Sequence, residues 1–208
     1  VRCTRDKGMH LAIDVARAAG RSIKLAAKCT ESAERAYFEA EIQPRLGPGV
    51  EWLGEVGTDR KKDLLSRARC LLFPICWDEP FGMVMIEAMA CGTPVVALRR
   101  GSVPEVVTDG STGVICDHPD QLPDALNAIH TIDPVQCRKH VRTHFHPDTM
   151  AAGYEHAYLE AIQRAELRAT KPTRSHGRGC GGSGTAAHPE RTPPGNARHG
   201  ARSLSSVR

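Results

Sequence analysis

Residues 78–95 read Asp-Glu-Pro-Phe-Gly-Met-Val-Met-Ile-Glu-Ala-Met-Ala-Cys-Gly-Thr-Pro-Val. Just before them, Cys70–Cys76 is an apolar run with the look of a strand that ends at Pro74. A loop carrying Glu79, Pro80 and Gly82 follows. Residues 83–91 are apolar almost all round except at Glu87, as in a buried helix, and Gly92 is placed to close it as a C-cap glycine. Thr93-Pro94 then leads into a second apolar run, Val95–Leu98. Strand, acidic loop, buried helix and strand make a βαβ unit with a carboxylate at each end of its strand-to-helix turn.

Two readings are open for those carboxylates. Glu79 can be a loop residue drawn to a helix N-terminus by the macrodipole, with Glu87 a surface charge. Alternatively both face a ligand, because ligands bind at the carboxyl ends of strands in open α/β sheets. Glu87 strains the first reading. Among Val84, Met85, Ile86, Ala88, Met89 and Ala90 it has little solvated face, so it is expected to be buried with a partner or to face a cleft.

The alternation continues on both sides. Downstream, Gly101-Ser102 reads as a tight turn at the carboxyl end of the Val95–Leu98 strand, followed by a short helix from Val103 and a last strand ending at Cys116. Residues 120–130 and 134–144 are amphipathic helices, and residues 149–166 form a final helix with Tyr154 and Tyr158 on one face. Upstream, residues 59–68 are helical and Val50–Gly54 is a strand. Residues 31–46 are a helix with Thr30 as its N-cap, residues 22–27 a strand, and residues 9–19 a helix ended by Gly20. Val1–Cys3 reads as the end of a further strand and residues 4–8 as a turn. Strands separated by helices five times over predict one parallel, doubly wound sheet, whose right-handed crossovers bring the turns to one edge.

The totals fit a globular α/β chain. At 208 residues, 40% hydrophobic and 25% charged, it can bury one sizeable core. No apolar run approaches the ~20 residues of a membrane span. From Glu166 onward there are eight Lys or Arg and two acids, leaving 20 basic and 22 acidic residues before it. The body is thus near neutral and argues against nucleic-acid binding. The tail, rich in Gly, Pro and Arg, cannot bury a core and is expected to be disordered; its composition also matches a GC-rich reading frame out of register. Eight cysteines without a C-x-x-C pair read as reduced, structural thiols, giving an expected cytoplasmic location. The ten histidines show no metal-ligand spacing.

With its neighbours, the pair Glu79 and Glu87 resembles the E-x7-E signature of the family 4 retaining glycosyltransferases, set in EPFG…EAMA-x-G-TPV. Arg2 and Lys7-Gly8 are similar to that family's G-R-x-x-x-x-K-G turn, without its leading glycine. Residues 99–107 resemble its G-G-x-P-E segment, with Ser102 in place of the second glycine. The likeness spans residues 1–165.

This resemblance implies a Rossmann-like parallel sheet with helices on both faces, the C-terminal half of the two-domain GT-B fold, over residues 1–165, with 166–208 as the basic tail. It implies binding of a UDP- or GDP-sugar and transfer of the sugar, with retention of anomeric configuration, to a sugar, lipid or small-molecule acceptor. Arg2, Lys7 and Glu79 are then the expected catalytic residues: two cations for the leaving diphosphate and a carboxylate for donor-sugar hydroxyls. Phe81, Gly82, Met83, Glu87, Gly101 and Ser102 are the expected donor-binding residues, with Glu87 on the ribose. Neither a metal nor another cofactor is expected. The chain is expected to be a fragment lacking the N-terminal acceptor domain, through which peripheral membrane attachment could arise. A non-catalytic nucleotide-binding fragment and an isomerase like the sugar-nucleotide 2-epimerases stay open as alternatives.

Overall fold

A computed structural model describes residues 1–169; the expected disordered tail lies, almost entirely, outside the described residues. Residues Val1–Arg164 form one compact unit, and the chain from Ala165 belongs to a second.

The described chain alternates helix and strand: α1 (Met9–Ala18), β1 (Ile23–Ala26), α2 (Ser32–Tyr37), β2 (Val50–Gly54), α3 (Thr58–Arg67), β3 (Leu71–Phe73), α4 (Met83–Ala90), β4 (Val95–Leu98), α5 (Val103–Val106), β5 (Gly113–Cys116), α6 (Leu122–Ala128), α7 (Pro134–His144) and α8 (Pro147–Ala169). Every strand pair is parallel, as strands joined by helical crossovers must be. All four residues of β4 are buried, which marks it as the central strand of the β3-β4-β5 ladder.

Three details depart from the sequence expectations. The single sheet resolves into two ladders, β1-β2 and β3-β4-β5. Residues 1–8 run between them: beside β1, the Cys3 amide donates to the Lys28 carbonyl and the Lys28 amide to the Val1 carbonyl, and the Cys76 amide donates to the Asp6 carbonyl on the β3 side. The helix expected over 31–46 is α2 followed by a wider π turn and a 3-10 turn, since Pro44 cannot continue the ladder of amide bonds. Its N-cap is Glu31 rather than Thr30, because Glu34 reaches back to the Thr30 and Glu31 amides.

Two apolar clusters hold the unit together. One surrounds β3, β4 and β5 and takes in Met85 and Met89 of α4, Leu122 and Leu126 of α6 and Cys137 of α7. The other joins Leu25, Val50 and Ile42. Helix α1 belongs to both: Met9 and Ile13 point to the second cluster and Val15 to the first.

Candidate functional site

The site is built where the turn after residues 1–3 meets the loops that leave β3 and β4. Lys7 ends a 3-10 turn, and Gly8 follows it in the left-handed region at φ 69°. A side chain at Gly8 would run into the Pro74 carbonyl, so only glycine lets this turn lie on the β3–α4 loop. Lys7 Nζ thereby reaches Glu79 Oε2 at 2.6 Å, with both side chains more than four-fifths buried. A pair this sheltered from water interacts far more strongly than an exposed one.

The loop leaving β4 closes on the same residue. The Ser102 amide donates to the Glu79 carbonyl at 2.8 Å. Gly101 packs so tightly that a Cβ there would stand 2.7 Å from the Asp78 carbonyl carbon and nearer still to Glu79 N and O. The Ser102 hydroxyl is the one buried side-chain polar atom among the described residues without a hydrogen-bond partner. A buried hydroxyl left unpaired is costly in a finished protein and suits a position completed by a ligand.

Helix α4 starts at Met83, as its apolar run predicts, because Gly82 before it holds a left-handed φ of 73°. The amides of Met83 and Val84, in its first turn, lack intrahelical acceptors and carry the positive end of the helix dipole. Met83 is exposed there; Phe81 lies outside the helix, its ring edge-on to Phe145 at 6.0 Å.

Glu87 stands one turn beyond Met83 on the less buried face of α4 and pairs with Lys61 of α3, Nζ to Oε1 at 2.6 Å. The expected partner exists. The side chain is nonetheless about a third exposed, leaving it open to a ligand on one side.

Arg2 is placed differently. Its Nε donates to Glu34 Oε1 at 2.7 Å and its terminal nitrogen lies 2.5 Å from Glu31 Oε2; its hydrogen bonds go to these acids rather than into the Lys7–Glu79 pair. Glu34 is fully buried, and the Arg2 guanidinium, helped by the Glu31 and Thr30 amides, holds its carboxyl down at about 2. The same bond raises Arg2 above its ordinary value.

Lys61 and Trp77 escaped the reading of the sequence. Trp77 Nε1 donates to Glu79 Oε2 at 3.0 Å, and Lys7 Nζ lies 4.5 Å from the centre of the indole ring. An aromatic residue in a polar loop two positions before the acid was the available signal. For Lys61 there was none beyond a basic run on α3.

Among the described residues no group of three or more His, Cys, Asp or Glu side chains could hold a metal ion, and no helix is long and apolar enough to cross a membrane.

Residues 2–139 match the family model of the glycosyl transferases group 1. Alpha-maltose-1-phosphate synthase of Mycolicibacterium smegmatis is 31% identical over 153 residues, which make up 67% of this chain and 39% of that protein. AviGT4, a glycosyltransferase involved in avilamycin A biosynthesis, is similar in structure with a TM-score of 0.66 at 32% identity, over 78% of this chain and 49% of its own. Sucrose-phosphate synthase from Thermosynechococcus elongatus gives 0.64 at 27% identity, over 78% and 44%. The chain thus spans less than half the length of these relatives, and its fold is the one they share, that of GT-B glycosyltransferases. On its motifs, its fold and the match over residues 2–139, the chain belongs to the glycosyl transferases group 1.

Proposed function

We propose that this chain binds a nucleotide-activated sugar, a UDP- or GDP-sugar, and serves the transfer of that sugar to an acceptor with retention of anomeric configuration. The observation that carries the reading is the sheltered Lys7–Glu79 pair, closed over by Gly101-Ser102 and lying just before the N-terminus of α4. A cation, free helix amides and an unpartnered hydroxyl suit a diphosphate, and a carboxylate beside them suits sugar hydroxyls.

In this reading the diphosphate rests on the Met83 and Val84 amides and on Lys7. As the glycosidic bond breaks, negative charge grows on the leaving diphosphate, and Lys7 stabilises it from a position held before the reaction. Arg2 adds a second cation by giving up Glu31, its exposed partner, while keeping the buried Glu34. Glu79 accepts hydrogen bonds from the donor sugar and fixes the ring. Glu87 takes the ribose hydroxyls, with Lys61 holding its other side.

Retention by double displacement requires a carboxylate nucleophile at the anomeric carbon. Glu79 is already shared between Lys7 and Trp77. The reading therefore favours front-face substitution, in which the leaving phosphate assists the acceptor hydroxyl.

Calorimetry of the full chain with UDP-glucose and GDP-mannose tests the proposal. Binding of one of them is expected, weakened by about tenfold or more in Lys7→Ala and Glu87→Ala, each of which removes a charged hydrogen-bonding group. A folded protein that binds neither, or variants that bind as well as the parent, would refute it.

A further inference from the structure

Trp77 is tied to Glu79 twice. The Glu79 amide donates to the Trp77 carbonyl at 3.0 Å, and the indole N–H donates to Glu79 Oε2 at 3.0 Å. That same oxygen receives the Lys7 ammonium at 2.6 Å, while Oε1 has no hydrogen bond among the described residues. The ammonium also lies over the indole face, 4.5 Å from its centre, within the range of a cation–π contact. Three side chains thus form a closed triangle: ammonium to carboxylate, carboxylate to indole N–H, indole face to ammonium. Trp77 is 39% exposed, so apolar burial alone does not account for its position.

We propose that Trp77 is a positioning residue for the donor sugar. Its N–H pins Oε2 and so leaves Oε1 as the oxygen offered to sugar hydroxyls; its ring holds the Lys7 ammonium at the diphosphate. This role rests on the donor-binding reading above. It makes a distinction that a merely structural tryptophan does not. The N–H acts through Glu79 and bears on ligands that carry a sugar, whereas the ring acts through Lys7 and bears on the diphosphate.

Trp77→Phe keeps an aromatic face and removes the N–H; Trp77→Leu removes both. Calorimetry of the full chain with UDP, GDP, UDP-glucose and GDP-mannose separates the two effects. Trp77→Phe is expected to bind the free diphosphate within about twofold of the parent and its sugar ester about tenfold more weakly, the worth of one hydrogen bond to a charged group. Trp77→Leu is expected to lose affinity for both. Equal losses for diphosphate and sugar ester in Trp77→Phe, or no loss for either, overturn the role while leaving the donor reading intact. A parent chain that binds none of the four overturns the donor reading, and this role with it. The contact itself is read without ligand: the indole N–H proton resonance of Trp77 is expected to move in Glu79→Gln, and an unmoved resonance overturns it.

Discussion

Replacing Gly101 by alanine is expected to destabilise the folded unit severely, for reasons that can be separated by a control. Gly101 sits at φ +49°, and a methyl group there would meet Glu79 N and O and the Asp78 carbonyl carbon. All three are backbone atoms of a loop already tied down by the Ser102–Glu79 and Lys7–Glu79 bonds, so none can swing aside as the tip of a side chain would. The left-handed backbone costs an alanine about 1–2 kcal/mol, and forcing an extra methyl into packed surroundings adds about 1–3 kcal/mol, for a total of about 2–5 kcal/mol. In a unit of this size that lowers the melting temperature by about 5–15 °C. Gly20 is the control: its φ is +64°, with nothing within 4 Å of the added Cβ. Gly20→Ala should therefore show only the backbone cost of about 1–2 kcal/mol. Urea unfolding followed by circular dichroism measures both. Equal losses in the two variants would refute the close approach of the β4–α5 turn to Glu79.

Four more outcomes are expected. Because the Glu34 carboxyl is held at about 2 against an ordinary 4.5, its contribution to stability is complete above about pH 4.5 and lost as pH falls towards 2; urea midpoints taken from pH 7 to pH 3 should fall less steeply in Glu34→Gln. Met85 is fully buried in α4, so Met85→Ala should lower the unfolding free energy by about 2–5 kcal/mol in the same assay. The Lys61–Glu87 pair is a third or more exposed, and Lys61→Met should change stability by less than about 1 kcal/mol; a larger loss would mean the pair is structural. Burial pushes the Cys3 thiol up to about 12 and Cys70 to about 11, while Cys76 is exposed. At pH 8 a thiol-directed alkylating reagent mapped by mass spectrometry should modify Cys76 well before either.

The βαβ unit was legible in the sequence because its information is local. The apolar run of α4, the stop at Gly92 and the strand that follows lie within one residue of where their periodicity puts them. Local reading also singled out Glu79 and the Gly101-Ser102 turn, and the family resemblance singled out Lys7; the fold brings them together. What stayed hidden is long-range. Arg2 meets Glu34 across 32 positions and Lys61 meets Glu87 across 26, and no pattern within a window marks either as a pair. Arg2 looked free for a diphosphate because Glu34 looked like an ordinary helix acid; its burial depends on how α2 packs. The split of the expected sheet is of the same kind, since it depends on which backbone groups meet between residues 1–8 and the two ladders.

The Lys7–Glu79 bond joins residues 72 positions apart, and this bears on when the site comes into being. Closing so long a loop carries an entropic cost that is recovered only after the intervening βα units are in place. The turn at residues 4–8 and the loop at 74–79 are therefore expected to dock late in folding. A pair that forms late reports on completion of the fold. A misassembled chain, even one with most of its helices and strands, would present Lys7 and Glu79 separately and so would not mimic the finished site.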